Sequence, residues 1–89
     1  MKYYLKIVTP KGKFFESEEV TSIRAKCSDG YFEIMANHTP TIGELCDGVV
    51  RIKEGEKELE FSHSRGLLNF SENRAAIICE KIESYESEE

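Results

Sequence analysis

Apolar and polar residues alternate with a period of two along most of this chain, and the three-to-four spacing of an amphipathic helix never establishes itself. Leu5, Ile7 and Thr9 alternate with Tyr4, Lys6 and Val8, and Pro10-Lys11-Gly12 then breaks the strand as a tight turn does. Phe14 and Phe15 predict a brief return strand. From Val20 the alternation is cleaner: Ile23, Ala25 and Cys27 share one face, Ser22, Arg24 and Lys26 the other, as in a strand with one wet side. Ser28-Asp29-Gly30 ends it. A short apolar strand, an Asn37-His38-Thr39-Pro40 corner, a second short strand, an Asp47-Gly48 turn and the strand Val49-Val50-Arg51-Ile52 follow.

Glu54-Gly55-Glu56 then reads as a hairpin turn, with glycine free to take the left-handed position. Beyond it Leu59 and Phe61 point one way, Glu58 and Glu60 the other. Ser64-Arg65-Gly66 opens a last pair, in which Leu67 to Phe70 and Arg74 to Ile82 flank a turn at Ser71-Glu72-Asn73. Within that pair Ala75-Ala76-Ile77-Ile78-Cys79 is apolar on both faces, so it needs cover on both sides: the opposite sheet on one, a partner protein on the other. With turn signals about every eight to ten residues, the chain predicts an all-β fold, a small β-sandwich of about nine to ten short strands in two sheets. The sandwich is expected over residues 1–83, with 84–89 a solvated acidic tail holding Glu86, Glu88 and Glu89.

Composition narrows the function. At 89 residues there is room for one modest core and little for a deep catalytic cleft. The net charge of -5, with basic residues scattered, argues against a nucleic-acid or anionic-lipid surface, which needs clustered Lys and Arg to displace counterions. No apolar run approaches the roughly 20 residues of a membrane span, and no signal-peptide core follows Met1, so a cytoplasmic protein without direct membrane insertion is expected. Cys27, Cys46 and Cys79 lack metal-type spacing and sit among strand-like apolar residues; they read as reduced, partly buried thiols.

Each residue that suggests chemistry has a plainer reading. His38 has the identity of a general base, but a lone histidine at a strand corner more often bonds backbone or meets a partner, and His63 suggests a base even less. Cys27 and Cys46 lack the basic, exposed setting that favours a thiolate. Asp29-Gly30 lacks the alternating acidic ligands of a calcium loop, and no glycine-rich loop follows a strand to cradle phosphate. No catalytic residue, metal or cofactor is assigned.

The stretch from Cys27 to Ile52 carries a family resemblance. Gly30, Phe32, Ile34, Asn37, His38, Pro40, Gly48, Val49, Val50, Arg51 and Ile52 stand in the order and spacing of the N-terminal β-sandwich of the F-type ATP synthase epsilon subunit, delta in mitochondria. Tyr4 to Pro10, Ser64 to Leu68 and Asn73-Arg74 resemble it as well. Departures fall at Glu33, where a small residue is usual, Ala36, Thr41 and Arg65.

The resemblance implies a non-catalytic rotor subunit of the central stalk, monomeric when isolated. It would bind the gamma subunit and the c-ring and couple ring rotation to ATP synthesis from the cytoplasmic face of the bacterial inner membrane, where it is peripheral. It assigns Ser28, Asp29, Gly30 and Tyr31 to the c-ring, and His38, Thr39, Pro40, Ile42 and Leu45 to gamma. In many bacterial members an inhibitory helical hairpin follows the sandwich; this chain stops at Glu89, before any such hairpin. Without the resemblance, the residues point to a free-standing small β-sandwich binding module or enzyme inhibitor.

Overall fold

In the computed structural model, which describes residues 1–85, the alternating segments form ten strands and no helix. They are β1 (Tyr3–Thr9), β2 (Gly12–Val20), β3 (Ser22–Cys27), β4 (Gly30–Met35), β5 (Thr41–Leu45), β6 (Gly48–Glu54), β7 (Lys57–His63), β8 (Gly66–Ser71), β9 (Arg74–Cys79) and β10 (Ile82–Ser84). One sheet has the order β2-β1-β9-β8-β5, the other β10-β7-β6-β3-β4. All pairs are antiparallel except β1 with β9, which run parallel in the middle of the first sheet.

Alternation explains the core, because every second residue of a strand faces the opposite sheet. Leu5, Ile7, Leu45, Leu68, Phe70 and Ile77 come from the first sheet; Ile23, Ile34, Val50, Ile52 and Phe61 come from the second, and all are buried. Tyr3 joins this layer with its ring edge-on to Phe70 and its hydroxyl donating to the Ile34 carbonyl at 2.7 Å, which ties the sheets together at one end.

The turns follow their residues. Glu72 and Asn73, at φ 50 and 58, form a two-residue loop of the type that matches strand twist, closed by the Ser71–Arg74 pair. Gly55, at φ 69, supplies the left-handed position of the β6–β7 turn. Asn37, at φ 67, sits at the β4–β5 corner, and its backbone N–H donates to Asn73 Oδ1 at 2.7 Å while Asn73 Nδ2 returns a bond to Asn37 Oδ1 at 3.0 Å.

Three segments differ from expectation. The return strand around Phe14 and Phe15 is the nine-residue β2, an edge strand in which Glu16, Glu18 and Glu19 remain in water. The run from Arg74 to Ile82 is two strands: it breaks at Glu80-Lys81, and β10 crosses to pair with β7 in the other sheet. Ser84 lies in β10, and the Tyr85 N–H donates to the Glu60 carbonyl at 3.0 Å, so the sandwich reaches two residues further than 83; of the expected acidic tail, 86–89 lie outside the described residues.

Candidate functional site: an apolar sheet face and two ends

Strand direction sorts the connections into two ends. Pro10-Lys11, Ser28-Asp29, Cys46-Asp47, Ser64-Arg65 and Glu80-Lys81 gather at one; Thr21, the Ala36-to-Pro40 corner, Gly55-Glu56 and Glu72-Asn73 gather at the other. The loop residues assigned to two partners are therefore well separated, although Leu45 ends β5 at the first end. Ser28 to Tyr31 occupy the β3–β4 hairpin at the first end, and His38, Thr39 and Pro40 occupy the second.

The Tyr31 side chain, 58% exposed, lies on the outer face of its sheet, with the Arg24 guanidinium 5.0 Å from its ring centroid, within cation–π range. Around it that face is charged: Arg51 bonds Glu60 at 3.1 Å and lies 3.3 Å from Glu58. At the other end His38 is pinned. Its backbone N–H donates to the Met35 carbonyl, its ring stands edge-on to Phe70, and Nδ1 donates to the Thr39 carbonyl at 2.8 Å, which fixes the proton on that nitrogen in the neutral ring. Thr39 and Pro40 are exposed beside it.

Ile42 and Leu45 part company. Three residues apart on one strand, they face opposite ways: Ile42 is 76% exposed on the outer face and Leu45 only 2% exposed in the core. Leu45 is thus a packing residue, and its assignment to a partner surface is corrected.

The outer face of the first sheet carries residues that the assignment missed. Register places Val8, Ile78 and Leu67 side by side across β1, β9 and β8, with Lys13 and Glu44 at the ends of the row. Ile78 and Leu67 are 51% and 45% exposed, and Ile42 stands diagonally beside them on β5. Ile78 is the outward half of the two-faced apolar run; the Leu67-Leu68 doublet held the same signal, since adjacent apolar residues in a strand cannot both face inward.

Titration adds little chemistry. Burial holds the Tyr3 phenol well above its ordinary range and pushes the Cys79 thiol up, both in the direction of an inert group. Among the described residues no cluster of three or more His, Cys, Asp or Glu side chains could hold a metal ion, and no helix is long and apolar enough to cross a membrane.

Against this geometry, the model of the ATP synthase delta/epsilon chain β-sandwich domain matches residues 2–85. The chain belongs to this family. An ATP synthase epsilon chain from Chlorobium limicola is 40% identical over 81 residues, covering 90% of this chain and 91% of that protein. One from Pediococcus pentosaceus is 33% identical over 78 residues, covering 88% of this chain but 56% of that protein, so the chain spans little more than half of several relatives it matches. In solved structures, a chain of the Euglena gracilis mitochondrial ATP synthase superposes with a TM-score of 0.86 at 19% identity, covering 93% of this chain and 53% of that one. A chain of the Tetrahymena thermophila mitochondrial ATP synthase central stalk and c-ring superposes with a TM-score of 0.78 at 18% identity, covering 94% of this chain and 67% of that one. At these identities the likeness is one of fold. For the delta/epsilon β-sandwich, the predicted two-sheet all-β architecture and the family resemblance both hold.

Proposed function

We propose that this chain is a non-catalytic rotor subunit of the F-type ATP synthase central stalk, binding gamma through the outer face of its first sheet and the c-ring through its β3–β4 hairpin. The observation that carries the reading is the asymmetry of the two outer faces. The second sheet sets its exposed Tyr31 and Met35 apart on the edge strand β4, beside the charged Arg24, Arg51, Glu58 and Glu60, whereas the first presents the contiguous row of Val8, Ile78 and Leu67 with Ile42 beside it. An apolar row with charged ends matches the plan of a protein interface, with a dry centre and a polar rim. The family, and one structural relative solved with a central stalk and c-ring, supply the setting for these partners.

The work proposed is mechanical. A rigid sandwich gripped on one face by gamma and seated at one end on the ring's polar loops transmits ring rotation to the stalk. Chemistry stays with other subunits, and the protein sits peripherally at the cytoplasmic face of the bacterial inner membrane. Ser28, Asp29, Gly30 and Tyr31 form the ring contact, with Tyr31 as its amphipathic anchor. Ile42 and the His38-Thr39-Pro40 corner extend the gamma surface.

The test is capture of purified gamma and c-ring by the 89-residue protein and its variants. Fully burying a side chain the size of Ile contributes about 1.5–3 kcal/mol, so Ile78→Asp should weaken gamma capture by about tenfold or more. Its melting temperature should stay close to wild type, because the side chain is half in water already. Tyr31→Ala should weaken ring capture alone. Undiminished gamma binding by Ile78→Asp and Leu67→Asp would remove the sheet face from the reading.

A further inference from the structure

Parity along the first sheet leaves a short row of backbone groups unused. Ser71 and Arg74 close the two-residue β8–β9 loop as a hydrogen-bonded pair, so Asn69 and Leu67 also turn their N–H and C=O groups to β9. Phe70, Leu68 and Gly66 turn theirs the other way, to Thr41, Gly43 and Leu45 of β5. By the same alternation Ile42 and Glu44 hold both groups out from the edge of the sheet, and among the described residues no hydrogen bond reaches their main chain. Pro40, next in the row, has no N–H, so the open ladder is two donors and two acceptors at Ile42 and Glu44.

The other three edges are blunted, each by a different device. β2 carries Glu16, Glu18 and Glu19 and slips register twice against β1, and β10 is only three residues long. On β4 Glu33 stands mid-edge and the Met35 carbonyl is taken by the His38 N–H. β5 keeps unbroken register with β8 from Thr41 to Leu45, and its exposed Ile42 lies at the end of the apolar row. A second copy of this chain fits that edge badly. Two-fold antiparallel pairing sets Ile42 against Glu44, or Glu44 against Glu44, or Ile42 against Ile42 with Pro40 facing Glu44 and no N–H to give. The edge suits a different strand, with an apolar residue opposite Ile42 and a basic one two positions away, opposite Glu44.

We propose that an extended segment of gamma adds to β5 as a sixth strand of the first sheet, bonding the Ile42 and Glu44 main chain, continuing the apolar row past Ile42 and meeting Glu44 with a Lys or Arg. The proposal rests on the reading of the first sheet's outer face as the gamma surface. A partner lying across Ile78 and Leu67 passes the β5 edge next, and main-chain pairing holds it there in one register, which apolar contact alone does not.

The experiment is amide exchange in the ¹⁵N-labelled 89-residue protein, alone and saturated with purified gamma, beside gamma capture by Glu44→Pro, Glu44→Ala and Ile78→Asp. In the free protein the Ile42 and Glu44 amides should exchange faster than those of Gly43 and Leu45, and bound gamma should slow both by about tenfold or more. Glu44→Pro removes an N–H that faces water in the free protein, so it should melt near wild type yet weaken capture by about tenfold or more. Glu44→Ala keeps that N–H and should lose only a few-fold. If the proline variant does not fold, exchange in the wild-type complex carries the test. Capture weakened by Ile78→Asp, with Ile42 and Glu44 exchanging as fast in the wild-type complex as alone, overturns strand addition and leaves the face reading standing. Equal losses in the alanine and proline variants reduce the contact to a side-chain pair and overturn it as well. Protection at Ile42 and Glu44 with undiminished capture by Ile78→Asp keeps the added strand and removes the face, and absence of gamma binding to wild type removes both.

Discussion

Gly66→Ala is the substitution whose effect the structure defines most sharply. Gly66 opens β8 on its inner face, paired with Leu45 on one side and Cys79 on the other. A Cβ built there stands 2.9 Å from the Cys79 Cβ and 3.2 Å from its Cα, and closer still to the Ile78 carbonyl oxygen. These neighbours are backbone or rigidly attached to it, so the β8–β9 ladder itself must give way. Overpacking of this kind costs about 1–3 kcal/mol, and the clash with main chain puts this case at the upper end. The alanine's smaller unfolded-state entropy returns about 0.4–1 kcal/mol. The net loss is about 2 kcal/mol, a fall in melting temperature on the order of 8–16 °C for a domain of this size. Gly43→Ala is the control, because its Cβ meets nothing nearer than Phe32 Cζ at 3.9 Å. Urea unfolding of both variants beside wild type is the assay, with the denaturant slope checked for constancy. Should Gly66→Ala prove as stable as Gly43→Ala at the same slope, the reasoning from close approach is wrong.

Two further outcomes follow from buried groups. Burial raises the Tyr3 phenol and Cys79 thiol above their unfolded values near pH 10 and 8.5, so each contributes stability that is full below those values and lost progressively as pH rises from them to the higher folded values. Unfolding followed across this range should steepen above about pH 8.5, and Tyr3→Phe should flatten the part above about pH 10; an unchanged profile would contradict the burial argument. Tyr3→Phe should also cost about 1–3 kcal/mol near neutral pH, because it strips the Ile34 carbonyl of its buried donor. Alkylation in the native state should label Cys27 and Cys46 before Cys79, all three becoming reactive on denaturation, and Cys79→Ala should cost about 1–3 kcal/mol. Fast native labelling of Cys79 would place it at the surface.

Period-two alternation made the sandwich legible because a strand with one wet face displays its burial pattern directly. Ile23, Ala25, Leu59 and Phe61 all show it, and the glycine and asparagine turns fell where the backbone goes left-handed. What alternation cannot express is which sheet a strand joins. The run from Arg74 to Ile82 therefore read as one strand, although Glu80-Lys81 carries the chain across to the other sheet. It also fails on an edge strand such as β2, where glutamates are tolerated at most positions because one flank has no neighbour.

The site was legible to the same degree. Ile78 announced an exposed apolar position through the two-faced run of β9, but its neighbours Val8 and Leu67 depend on register between distant strands. The resemblance assigns Leu45 and Ile42 together, whereas strand parity separates them. The burial of His63 is likewise invisible in the sequence, because it depends on strands that the sequence does not place beside one another.

The parallel β1–β9 pair sets the order in which this molecule can assemble. The β3–β4 and β6–β7 hairpins join neighbours in sequence and can close early, on the microsecond scale typical of hairpins. The first sheet has the same shortcut within β1–β2 and within β8–β9, but those two hairpins can be joined only through the parallel β1–β9 pair. Its first strand has β2 on one side and must wait for β9 on the other, so Leu5 and Ile7 find their buried positions only after the chain through β9 has left the ribosome. Such long-range closure favours folding on the order of milliseconds to seconds. Until it happens, the apolar face meant for the core and the apolar row meant for a partner are open together.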